Sequence, residues 1–113
     1  MAFVEKSELI KKETRRLKKI FKDLEPNKLK TVDALINRAA FITISLQELE
    51  EQLNRDGWVE EYQNGRNQSG LKKSAAAECH ISLTKNLSTI MKQLIDLVPP
   101  TQRASRLSEM MHG

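Results

Sequence analysis

Two runs of residues at alternating three- and four-residue spacing leave this chain few folds to choose from. The first is Val32, Leu35, Ala39, Ile42, Leu46, Leu49 and Leu53. The second is Ala76, His80, Leu83, Leu87, Ile90, Leu94 and Leu97, apolar except for His80. Such spacing returns every side chain to one stripe of an α-helix, the seam of a coiled-coil-like element. Neither stripe is stable facing water, and the segment between them is long enough to reverse direction. The pattern predicts an antiparallel helical hairpin.

The breakers set the boundaries. A first helix is expected from Ser7 to Leu24, stopped by Glu25-Pro26-Asn27, because the residue before proline disfavours helix. Pro26 suits the first turn of the second helix, which runs to Arg55 and spans about 45 Å at 1.5 Å per residue. Asp56-Gly57 supplies a left-handed stop. Residues 58–73 hold Gly65 and Gly70 and no helical period, so they read as a connection, with a short hairpin around Asn64-Gly65 as one form. Trp58 and Tyr62 are expected to pack on the helices and hold it down. Ser74 caps the third helix, which ends near Leu97 before Pro99-Pro100. Residues 101–113 lack periodicity.

The expected organisation is all-α. Residues 1–25 form a basic amphipathic helix, 26–98 the hairpin with its connecting loop at 56–73, and 99–113 a flexible C-terminal tail. The hairpin has more apolar surface than one seam needs. Ile36, Phe41 and Ile44 on the second helix, and Ala77, Ile81, Met91 and Ile95 on the third, widen the apolar arc. The first helix covers only part of that surface, and soluble monomers avoid large exposed apolar patches. Ile36, Phe41, Ile44, Ile81, Met91 and Ile95 are therefore the expected contacts of a homo-oligomer.

Charge is concentrated at the start. Residues 1–30 carry ten Lys/Arg against five Asp/Glu, and residues 31–113 carry nine against ten. Seven cations fall in one run: Lys11, Lys12, Arg15, Arg16, Lys18, Lys19 and Lys22. On a helix they share a broad face opposite Ile10, Leu17, Ile20, Phe21 and Leu24. A solvated charged face is the plainest account. Phosphate is the commonest partner for such a row, so duplex DNA is the preferred ligand, ahead of an acidic protein or an anionic membrane. Arg66, Lys72 and Lys73 add a smaller cluster just before the third helix. Five aromatic residues in the whole chain argue against a stacking platform for single-stranded bases.

Other chemistry is thin. Cys79 is the sole cysteine, so no internal disulfide forms, and a reducing compartment is the simpler expectation. His80 reads as a core or interface histidine and His112 carries no signal; no metal or cofactor is expected. There is no phosphate-binding glycine loop and no nucleophile elbow, and Glu50-Glu51 and Glu60-Glu61 read as solvated surface. A non-enzymatic protein is expected. No run is long enough to span a bilayer, the longest nearly apolar one being Ala39–Leu46, and no secretory signal is apparent. A soluble intracellular protein follows as the expectation.

The stretch from Trp58 to Pro99 resembles the small subunit of bacteriophage terminases, in the branch of tailed phages of the cohesive-end siphovirus type. The pieces are Tyr62-Gln63-Asn64-Gly65, Gln68-Ser69-Gly70 and Lys72-Lys73-Ser74, then Lys92-Gln93-Leu94-Ile95-Asp96-Leu97 before Pro99. Ala40-Phe41-Ile42 and Leu46-Gln47-Glu48-Leu49-Glu50-Glu51 fit the same pattern, which covers roughly residues 35–99. Ala75 stands where many relatives have proline, and it suits a first helical turn equally. The resemblance implies a ring that recognises viral double-stranded DNA, delivers it to the large terminase subunit and regulates that partner, in the host cytoplasm during infection. The rival from another class is a cellular helical adaptor whose basic arm meets an acidic protein.

Overall fold

The computed structural model describes residues 3–63, 65 and 68–112. Among these the order is α1 (Phe3–Ile20), α2 (Pro26–Asp56), β1 (Val59–Gln63), β2 (Ser69–Lys73), α3 (Ala75–Asp96), a 3-10 turn (Pro100–Gln102) and α4 (Arg103–Met111). The chain is mostly helical and elongated, 62 × 31 × 22 Å. The expected helical architecture holds apart from the connection, where the β1–β2 hairpin, one form expected there, pairs antiparallel from Val59↔Lys73 to Gln63↔Ser69.

Both long helices form where their seams place them. Glu25, at φ −57 and ψ 143, takes the extended backbone that a following proline demands, and Pro26 opens α2. The Ser74 hydroxyl accepts the Ala77 N–H at 3.1 Å and caps α3. Gly57 ends α2 at φ 88 and ψ 166. The positive φ agrees with the expected stop. Its ψ lies in a region that is essentially glycine's alone, rather than in the left-handed helical one.

α1 ends four residues earlier than its periodicity predicts. Phe21–Leu24 form a turn instead, and Phe21 swings into the core at 2% exposure. α1 runs antiparallel to α2: Lys6 pairs with Glu48 near its start, while Leu17, Ile20 and Phe21 join Val32 and Ile36 in the core near its end.

The core draws on both faces of α2. Ile42, Leu46, Ile90, Leu94 and Val98 fill the α2–α3 seam, and Ile36 and Ala39 lie in the same cluster as α1 residues. Ile36 and Ile44, expected at an oligomer interface, are 0% and 4% exposed within a single chain. They belong to its own core. The second apolar face of α2 is covered by α1, more completely than the narrow stripe of α1 implies. Phe41 and Ile81 stay exposed, Phe41 with the Lys6 ammonium 5.0 Å from its ring centre, whereas Met91 and Ile95 are half-buried against the core.

The expected C-terminal tail is also corrected. Pro99–Met111 continues as the 3-10 turn and α4, which lies against α1 and α3 and buries Met110. Nine residues are too few to hold a helix in water. α4 is held by tertiary contacts that no local pattern announces.

Candidate nucleic-acid interface

The basic run divides once it is folded. At about 100° per residue, Lys11, Lys12, Arg15, Lys18 and Lys19 share an arc of roughly 120° on α1. All five are exposed, as is Lys22 in the turn that follows. Arg16 lies at the edge of this arc and faces inward. Its guanidinium grips the Glu13 carboxylate through two bonds, 2.6 and 3.1 Å, and donates to the Glu109 and Met110 carbonyls, each at 3.0 Å. Those carbonyls belong to the last turn of α4, where helix geometry leaves acceptors unpaired and the dipole favours a cation. The hydrogen bonds to Glu13 raise the Arg16 pKa above its ordinary range, aided by the carboxylate's charge and opposed by burial.

Arg16 is thus a structural clamp rather than a free contact, which corrects its place among the expected DNA-binding residues. The same clamp spends Glu13, the one acid within Lys11–Lys22. Asp23, just beyond the run, pairs with Arg106 of α4 at 3.8 Å, and Glu8 pairs with Lys11, also at 3.8 Å. Lys12, Arg15, Lys18, Lys19 and Lys22 have no ion pair to an acid among the described residues. Folding draws Glu13 off the strip, whereas Glu8 stays on it beside Lys11.

Lys72 and Lys73 sit on β2, at the far end of the helical hairpin from α4. Lys72 faces Glu60 across the strands at 3.5 Å, and Lys73 is exposed opposite Val59. They do not join the α1 strip, so the secondary cluster is separate from it. Arg66 lies outside the described residues. Trp58 and Tyr62 hold the connection less firmly than expected. Trp58 meets His80 edge-on at 5.2 Å yet stays 47% exposed, and Tyr62 lies over Gly70 within the hairpin. His80 is satisfied by Glu50 at 3.0 Å.

Two further arginines were not anticipated. Arg103 donates to the Val98 and Asp96 carbonyls, at 3.0 and 3.3 Å, and caps α3, whose last turn has no basic residue of its own. Arg106 joins Asp23 and Glu109. The available signal was arginine at a three-residue interval with Leu107 and Met110 on the same short stretch, too brief to register as a period. Among the described residues, no group of three or more His, Cys, Asp or Glu side chains is placed to hold a metal, and no helix is long and apolar enough to cross a membrane.

Comparison with protein-family models, curated proteins and solved structures finds no match to this chain.

Proposed function

We propose that this chain is a small terminase subunit of a tailed phage: a non-enzymatic homo-oligomeric ring that binds viral double-stranded DNA and passes it to the large subunit. One observation carries the DNA contact. Folding leaves Lys11, Lys12, Arg15, Lys18, Lys19 and Lys22 exposed on α1 and the turn after it, while it diverts Arg16 and Glu13 into a clamp. A row of cations on a rigid helix is suited to backbone phosphates rather than base edges, so it gives affinity with little sequence preference by itself. Repetition around a ring makes weak single contacts avid. Genome selection, delivery to the large subunit and work in the host cytoplasm rest on the resemblance across residues 35–99. ATP hydrolysis and DNA cleavage fall to the large subunit.

The test is a gel-shift titration of duplex DNA with an Arg15→Glu, Lys18→Glu, Lys19→Glu variant. The expected result is loss of binding with the melting curve unchanged. For the unaltered protein, each phosphate neutralised contributes about −0.9 to the slope of log affinity against log salt, so the five cations other than Lys11, which is paired with Glu8, give a slope near −4.5. Unchanged affinity in the variant, or a flat salt profile, overturns the DNA reading. An acidic protein captured in its place would favour the adaptor.

A further inference from the structure

The β1–β2 hairpin is a two-stranded sheet with both edges open. Such a ribbon is marginal alone in water, and its edges invite another strand. The Ser74 N–H donates to the Trp58 carbonyl at 3.0 Å. Antiparallel alternation then makes Glu60–Lys72 and Tyr62–Gly70 the hydrogen-bonded pairs. Val59, Glu61 and Gln63 on β1, and Ser69, Leu71 and Lys73 on β2, therefore turn their backbone N–H and C=O groups outward. Their side chains share one face, on which Val59 and Leu71 stand 54% and 68% exposed.

The edges differ in charge. β1 carries Glu60 and Glu61; β2 carries Lys72 and Lys73. We propose that β1 of one copy pairs antiparallel with β2 of the next, so that the hairpins join into a continuous ribbon between copies. Keeping the hairpin's own register sets Glu61 opposite the next copy's Leu71 and diagonal to its Lys73, with Val59 beside both. Pairing β1 with β1 brings two acids against two acids, and β2 with β2 repeats the error with lysines, which disfavours the like-edge arrangements. An unlike-edge contact is heterologous, and heterologous contacts close into rings when the rotation allows. The inference rests on the assembly part of the proposed function and is independent of the α1 strip.

The decisive variant is Glu61→Pro. Position 61 directs its N–H away from the hairpin, so proline there spares the chain's own ladder and removes one bond to a neighbour. Native mass measurement of the full chain is expected to show an oligomer, and E61P is expected to shift it to monomer. E61K and K73E are each expected to raise the dissociation concentration at least tenfold, and E61K/K73E to restore it. As a check that does not depend on a variant folding, hydrogen exchange at the amides of Glu61 and Leu71 is expected to slow on assembly. An E61P chain that assembles normally, a wild-type chain that stays monomeric, pairing with a foreign strand instead of a second copy, or fast exchange at both amides in the oligomer overturns the proposal. The α1 charge-reversal titration reads the DNA contact separately, so either idea can fail alone.

Discussion

Arg15 and Arg16 are adjacent in sequence and opposite in role, which makes their alanine variants a sharp test. Arg15→Ala removes one exposed cation and should leave stability within about 0.5 kcal/mol, as surface changes generally do. Arg16→Ala removes two charge-assisted bonds to the last carbonyls of α4 and strands Glu13 in a half-buried position. A cation at a partly buried helix C-terminus is worth up to about 2 kcal/mol, and the lost pairing of Glu13 adds a fraction of that. The expected cost is about 2 kcal/mol. With an unfolding entropy of roughly 2.1 cal/mol/K per residue, a chain of 113 residues loses about 4 °C of Tm per kcal/mol. R16A should therefore melt about 8 °C lower and R15A within about 2 °C of the parent. In DNA titrations the order reverses, with R15A reducing the salt slope by about 1 and R16A leaving it unchanged while folded. Equal melting of the two variants would refute the clamp. An equal loss of salt slope would put Arg16 back among the phosphate contacts.

Two backbone and packing predictions follow from single positions. Gly57→Ala meets no neighbouring atom within 4 Å, but it forces an L-residue into φ 88, ψ 166; chemical denaturation should register a loss of about 1–3 kcal/mol with no change in m-value. Ser45→Ala removes a hydroxyl that is buried in α2 without a partner among the described residues; the same measurement should show no loss and up to about 1 kcal/mol of gain. A loss on Ser45→Ala would mean that the hydroxyl has a partner after all.

α2 and α3 were legible in the sequence because their seams are long, and each is bounded by a residue with one strong preference: Pro26, Gly57, Ser74. α4 was not. Its nine residues are too few for their spacing to register as a period, and what fixes them comes from elsewhere in the chain: Arg16 at its end, and Asp23 drawing in Arg106. Arg103 and Arg106, on which the sequence pattern is silent, are joints between α4 and the rest of the chain.

The site was half legible for a related reason. Helical periodicity gives the direction of a side chain around its own axis, and by that measure Arg16 sits just outside the arc of the other cations. It does not say whether an edge residue meets solvent or a neighbouring element. Ile36 and Ile44 pose the same problem on α2. Their pattern gives the width of the apolar arc, whereas only the packed chain shows α1 covering it. Removing those two isoleucines from the exposed surface weakens the case for assembly through the helical faces alone. The open apolar residues left on the helical hairpin, Phe41 and Ile81, are few, while the β1–β2 ribbon offers Val59, Leu71 and two unsatisfied edges of opposite charge. If the chain forms a ring, the strands are the better place to look for its joints, and the long helices are the rods that carry them.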